Sequence, residues 1–120
     1  MNTAELKLAV VQDSASYNEL LGLLLGEANR LRIETTLPAG LAMLDQLAKG
    51  IDSGYHLLAL DENLSGDDDG YDGSVLFKKY LDLGLDNVLP VVSISSYSQV
   101  RGITAIGGMV KNLVDHIEKL

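Results

Sequence analysis

Cysteine is missing from this 120-residue chain, so it has no disulfide framework and no thiolate metal site, and thiol catalysis is excluded. Basic residues are scarce: nine Lys and Arg stand against seventeen Asp and Glu, a formal charge of -8. Such a surface repels a phosphate backbone and offers no basic stripe to track one, which argues against direct nucleic-acid binding. Long apolar runs are missing too. The longest, Leu20 to Leu25, is far shorter than a membrane span, and the start, Met1 to Glu5, lacks a basic region followed by an apolar one. A cytoplasmic, soluble protein with no membrane partner is expected. No internal repeat, linker or low-complexity tract interrupts the chain, and 1–120 is read as one domain with both sides of a single core covered.

What is present alternates between two periods. Leu6 to Val11 is nearly continuous in apolar residues, as a strand buried on both faces requires. Ser16 followed by Glu19 reads as a capping box, and Tyr17, Leu20, Leu21, Leu24, Leu25 and Ala28 recur at helical spacing, which predicts a helix over 16–29. Leu31, Ile33, Thr35 and Leu37 alternate with polar residues, the period of a half-exposed strand near a sheet edge. Pro38 opens a second helix with Leu41, Leu44, Leu47 and Ala48 on one stripe, ending at Gly50 as a left-handed cap. After the turn Asp52-Ser53-Gly54, a third strand is predicted over 57–60. A polar loop from Glu62 to Gly73 leads to a helix with Val75, Leu76, Tyr80 and Leu81 apolar. A fourth strand is predicted over 88–94, with Pro90 near its start because proline cannot donate to a ladder. A short fifth strand over 107–110 is followed by a last helix with Leu113, Val114, Ile117 and Leu120 facing inward. Strands separated by helices imply right-handed crossovers and a parallel sheet, hence an α/β fold.

Four of these apolar runs end on residues with phosphoryl-transfer chemistry: Gln12-Asp13, Asp61, Ser95 and Lys111. In a parallel sheet the carboxyl ends of the strands share one edge, where ligands bind. A carboxylate and a phosphoryl group repel each other, so a phosphate-accepting Asp needs a cation beside it. Magnesium takes oxygen ligands and keeps several waters. Asp13, Asp61, a backbone carbonyl at Asn63 and water therefore make a sufficient site, and Gln12 can orient a metal-bound water through its amide. The hydroxyl of Ser95 and the ammonium of Lys111 suit the phosphoryl oxygens as charge spreads over them.

With these residues on the page, the chain resembles the receiver domain of two-component response regulators over nearly its whole length. The likeness lies in Val10-Val11-Gln12-Asp13, Leu60-Asp61-Glu62-Asn63-Leu64, Asp72-Gly73, Pro90-Val91-Val92-Ser93-Ile94-Ser95 and Val110-Lys111-Asn112. The resemblance implies a flavodoxin-like, doubly wound five-stranded parallel sheet of order 2-1-3-4-5. It implies Asp61 as phosphoacceptor, Asp13 as a magnesium ligand, Ser95 as the switch hydroxyl and Lys111 as the lysine on the phosphoryl group. It further implies a signalling protein and not a turnover enzyme, phosphorylated by a histidine kinase or histidine phosphotransfer protein and read by a downstream protein partner.

The chain also departs from that family. Gln12 stands where the family has a second acid, which predicts weaker magnesium binding. The loop after Asp61 is longer than usual and carries Asp67-Asp68-Asp69. Asp61, Asn63, Ser65, Gly66, Asp69 and Asp72 match positions of a calcium-binding loop, but the last position lacks its Glu and a strand precedes the loop, so a solvated acidic loop is expected. Ser95 and Lys111 are close together, which leaves a fourth helix short or absent. Gly108 replaces the aromatic of the last strand, Asn112 stands where proline is usual, and Tyr97 reads as a packing residue. His56 and His116 read as surface residues. These departures favour an alternative, a pseudo-receiver that binds a partner without regulation by phosphorylation. A flavin protein is disfavoured because no Ser/Thr/Gly-rich phosphate loop follows the first strand.

Overall fold

Leu8, Ala9, Val10 and Val11 are all fully buried, and β1 (Lys7–Val11) accordingly runs through the interior of the sheet. The computed structural model describes residues 6–26, 30–61, 71–95 and 102–120, the side chains of 71–73 excepted. The expectations for Asn63, the acidic loop from Asp67 to Asp69, Tyr97 and the end of the first helix beyond residue 26 lie outside the described residues. β2 (Arg30–Glu34), β3 (Leu57–Leu60), β4 (Val91–Ser93) and β5 (Thr104–Ala105) complete a parallel sheet of order β2-β1-β3-β4-β5. This is the doubly wound order expected from the sequence.

The side-chain alternation of the strands divides the core in two. Leu8, Val10, Leu57, Ala59, Val92 and Ile94 face α1 (Ala15–Leu25) and α4 (Val110–Glu118), meeting Tyr17, Leu21, Leu113 and Ile117. Ala9, Val11, Leu58 and Leu60 face α2 (Leu37–Ala48) and α3 (Tyr71–Asp82), meeting Met43, Leu44, Leu76 and Phe77. Covering both faces is what allows parallel strands to be apolar at every position. Gly40 brings α2 close to β1: a Cβ there would lie 3.0 Å from a Val11 methyl and 3.1 Å from a Leu76 methyl. α2 ends as expected, with Gly50 at φ 72° donating to the Leu47 carbonyl and Ile51 to the Gln46 carbonyl, the paired bonds of a Schellman stop.

Several elements differ from the sequence reading. The cap of α1 is Ser14, whose Oγ accepts from the Tyr17 amide at 3.3 Å, and Ser16 lies inside the helix. The Gln12 side chain accepts from the Ser14 amide, fixing the turn two residues before the expected cap. Only Tyr17, Leu21 and Leu25 of the α1 stripe are buried, because a helix against a flat sheet buries a narrow line; Leu20, Leu23 and Leu24 are exposed. In α3 the buried face is Leu76, Phe77 and Tyr80, with Val75 and Leu81 outside, and the helix begins at Tyr71, so Asp72-Gly73 belong to its first turn and not to a loop.

The fourth strand is shorter than expected. Leu85–Asn87 form one 3-10 turn, and the Val88 and Leu89 amides both donate to the Leu85 carbonyl, which removes them from the ladder. Val88 is 76% exposed, and pairing of β4 starts only after Pro90. The fifth strand is Thr104–Ala105, not 107–110. Gly107, at φ 86°, breaks the extended run, and Val110 already starts α4. Four α-helices are present among the described residues and none lies between β4 and β5, in keeping with a short or absent fourth crossover helix. No described helix is long and apolar enough to cross a membrane.

Candidate functional site

The strand register puts the expected residues on one rim. Val11 pairs with Leu60 and Leu60 with Ser93, so Gln12, Asp61 and Ile94 are the next neighbours at the carboxyl ends of β1, β3 and β4. Backbone bonds carry the ladder that far: the Gln12 amide donates to the Glu34 carbonyl at 3.0 Å, Asp61 to Val11 at 2.9 Å, and Ile94 to Leu60 at 2.8 Å. Asp61 ends the central strand and is almost buried, with 8% of its surface exposed. Asp13 follows Gln12 and is exposed.

Gln12 is 5% exposed and committed on both sides. Its Oε1 accepts from the Ser14 amide at 3.1 Å, and its carbonyl accepts from Asn18 Nδ2 at 2.8 Å. It therefore ties the rim to the first turn of α1. Among the described residues no three acidic or imidazole groups are placed to hold a metal ion. An ion between Asp13 and Asp61 must draw its other ligands from backbone oxygen and water, the habit of magnesium. The oxygen donors fit a hard cation: two carboxylates beyond adjacent strand ends, and a buried acceptor, Asn18 Oδ1, with no hydrogen-bond partner among the described residues.

Two residues past the end of β4, Ser95 lies at the rim with its hydroxyl 2.6 Å from that of Ser93, which is fully buried. Ser93 was missed by the sequence reading; its signal is the i, i+2 spacing of two serines, which places both on one side of a strand. The backbone carbonyls of Ser93 and Ser95 accept from the Ile106 and Gly107 amides at 3.0 and 2.7 Å, locking β5 alongside.

Lys111 is not at a strand end. It is exposed in the first turn of α4, beyond the Gly107-Gly108 bend, with no hydrogen bond or ion pair among the described residues. Asn112 folds back over Gly107, its amide nitrogen 2.8 Å from where a Cβ would stand, so only glycine fits there. The structure thus brings Gln12, Asp13, Asp61 and Ser95 to one edge and leaves Lys111 on the adjoining helix. Of the two histidines, His56 is half-buried and its Nδ1 accepts from the Lys7 amide at 3.0 Å, on β1 at the opposite end of the sheet; His116 is half-buried on α4.

One residue at the site was read only as core. Tyr17 is 6% exposed, and its hydroxyl is buried with no hydrogen-bond partner among the described residues. Burial first, and the negative charge of Asp61 second, push its ionisation well above the usual phenol range.

No protein-family model matches the chain, and no curated protein matches it in sequence. Among solved structures it is similar to the receiver domain of the hybrid histidine kinase CckA, with a TM-score of 0.66 and 21% identity, covering 94% of this chain and 96% of that one. It is also similar to the N-terminal domain of a response regulator/sensory box/GGDEF 3-domain protein from Carboxydothermus hydrogenoformans, with a TM-score of 0.60 and 22% identity, covering 94% and 91%. The fold is that of receiver domains.

Proposed function

We propose that this chain is a two-component receiver that accepts a phosphoryl group on Asp61. One observation carries the reading: within a receiver fold, Asp61 ends the central strand level with Gln12, the residue before Asp13, and keeps 8% of its surface exposed. The donor is a phosphohistidine of a histidine kinase or histidine phosphotransfer protein. An Asp61 carboxylate oxygen attacks phosphorus, the oxygen–phosphorus bond forms as the phosphorus–nitrogen bond breaks, and the electron pair stays on the imidazole nitrogen, which takes up a proton. Asp13, Asp61, the Asn63 carbonyl and water would hold a magnesium ion, which when bound would supply the positive charge that offsets repulsion between carboxylate and phosphoryl oxygens. Gln12 holds the α1 turn at this rim, and Ser95 offers a hydroxyl from the end of the neighbouring strand. A downstream protein partner reads the modified surface, and the cytoplasm is the compartment where such a kinase acts.

The test is intact-mass analysis after incubation with phosphoramidate and magnesium. Wild-type protein is expected to gain one phosphoryl group, and Asp61→Asn none. A wild-type chain that stays unmodified with donor in excess refutes the reading.

A second reading, the pseudo-receiver, is favoured by two particulars: Lys111 sits on a helix and not at a strand end, and Gln12 spends its side chain on the α1 turn. It predicts partner binding that ignores magnesium, phosphodonor and Asp61→Asn. A partner whose affinity follows any of the three rules it out.

A further inference from the structure

Tyr17 holds an unusual place for a core residue. Its ring belongs to the same core cluster as Val10, Ala59, Val92 and Ile94, where phenylalanine would serve as well, yet its hydroxyl is buried without an acceptor among the described residues. A buried polar group left unmet is a net cost, so a chain that keeps one invites a search for the state in which it is met.

The strands say where that state lies. Side chains alternate across a sheet, so Asp61, two residues after Ala59, falls on the same side as Ala59, the side that α1 covers. Tyr17 stands in the first turn of that helix. Asn18 next to it is bonded to the Gln12 carbonyl at 2.8 Å, which holds this turn against the rim. The other donors expected at the phosphoryl group are placed differently: the Ser95 hydroxyl is shared with Ser93, and Lys111 is out on α4.

We infer that the Tyr17 hydroxyl is a phosphoryl-contacting donor, giving its hydrogen bond to an oxygen of the phosphoryl group on Asp61. This rests on the reading of Asp61 as phosphoacceptor. A phenol suits the role because the developing charge on the phosphoryl oxygens strengthens a hydrogen bond that has no acceptor beforehand, so the interaction is gained on the way to product and not in the resting state. Its raised ionisation keeps the proton on oxygen, available for donation.

The test is Tyr17→Phe, read in two ways. Thermal melting of the unmodified protein is expected to show no loss of stability, since the variant keeps the ring and deletes the unmet hydroxyl. Phosphoryl accumulation from phosphoramidate with magnesium, followed by intact mass, is expected to slow by about tenfold, the effect of one hydrogen bond to a charged group. In the wild type, the near-ultraviolet absorption of tyrosine is expected to shift on phosphorylation, and the shift is expected to vanish in Tyr17→Phe. Equal rates in the two proteins with a normal wild-type mass gain overturn this inference alone. A destabilised variant whose slower reaction tracks its unfolded fraction also overturns it, by making Tyr17 purely structural. A wild type that gains no mass overturns the receiver reading and this inference with it.

Discussion

The two ends of the sheet treat polar groups in opposite ways. Toward the amino-terminal end, the Lys7 ammonium reaches Asp52 Oδ1 at 2.7 Å and the Ser53 carbonyl at 2.6 Å, and it lies 4.4 Å from the centroid of the Tyr55 ring. Arg32, midway along β2, gives its guanidinium to the same Asp52 at 3.2 Å and to Gln46 at 2.7 Å, reaching Glu34 at the other end of its strand at 3.3 Å, and the Tyr55 hydroxyl donates to Asp52. Each of these charges is met from within the chain. At the carboxyl-terminal end, among the described residues, Asp13 makes no ion pair and the buried Tyr17 hydroxyl and Asn18 Oδ1 have no hydrogen-bond partner. A self-satisfied cluster maintains a fold. A rim with unmet donors and acceptors is where a bound group would gain the most hydrogen bonds, which is why the proposed chemistry is assigned there.

The largest test of that contrast removes the ion. With a chelator in place of magnesium, phosphoryl uptake by the wild type is expected to fall at least about a hundredfold, or ~2.7 kcal/mol of barrier. Asp13→Ala is expected to raise the magnesium concentration needed for half-maximal rate. Neither treatment is expected to move the melting temperature of the unmodified protein by more than a few degrees. Uptake that persists unchanged without a divalent ion breaks the assignment of this rim.

Next in size is Gly40→Ala, which acts on the packing behind the rim. The new methyl would press on methyls of Val11 and Leu76, both fully buried, and Val11 immediately precedes Gln12. A loss of about 1–3 kcal/mol in denaturant unfolding is expected from overpacking. Because the displacement is carried along β1, phosphoryl uptake is expected to slow further than the lost stability alone explains. Unchanged stability means α2 can withdraw, and the tight approach then has no hold on the site.

How far the sequence reveals this molecule depends on which signals are local. Apolar runs such as Leu57 to Leu60 match their strand to the residue, since a fully buried parallel strand needs no partner to be recognised. The rim residues Asp13 and Asp61 are legible for the same reason: Asp61 follows such a run directly and Asp13 one residue later. The fifth strand is not legible in this way. Gly107 to Val110 looks extended by composition, but a left-handed glycine and a folded-back Asn112 turn it into a helix approach, while the real strand, Thr104–Ala105, is too short to show a period. Lys111 moved from strand end to helix through that one error. Tyr17 was hidden for another reason: its ring obeys the helical stripe, and only coordinates reveal that its hydroxyl ends in the core without a partner.

A smaller effect separates two serines. Ser14→Ala is expected to cost about 1 kcal/mol, the usual value of an N-cap, because it frees the Tyr17 amide. Ser16→Ala, inside the helix, is expected to change stability by a few tenths at most. Chemical unfolding of the two variants checks this. An equal loss in both restores the capping box at Ser16 that the sequence suggested. Since Ser14 also fixes the turn that carries Tyr17, its loss is expected to slow phosphoryl uptake, joining stability to function at the carboxyl end only.

The smallest expected effect belongs to the amino-terminal cluster, and pH exposes it. Hydrogen bonds from Lys7, then Tyr55 and Arg32, hold the Asp52 carboxyl down at about 2 against an ordinary 3.8. The folded chain therefore binds fewer protons than the unfolded one between those values, and the cluster's contribution is complete above 3.8 and disappears as pH falls through about 2. Asp52 remains 30% exposed, so solvent screens the network and Asp52→Asn is expected to lower the melting temperature near neutrality by only roughly 2–4 °C. Below pH 3.8 the difference between variant and wild type is expected to shrink. Phosphoryl uptake is expected to stay at the wild-type rate once the variant is folded, because the cluster lies at the far end of the strands. A variant that folds normally but loses uptake would show that the two ends are coupled through β1 and β3, and the division of the molecule into a maintaining end and a reacting end would fail.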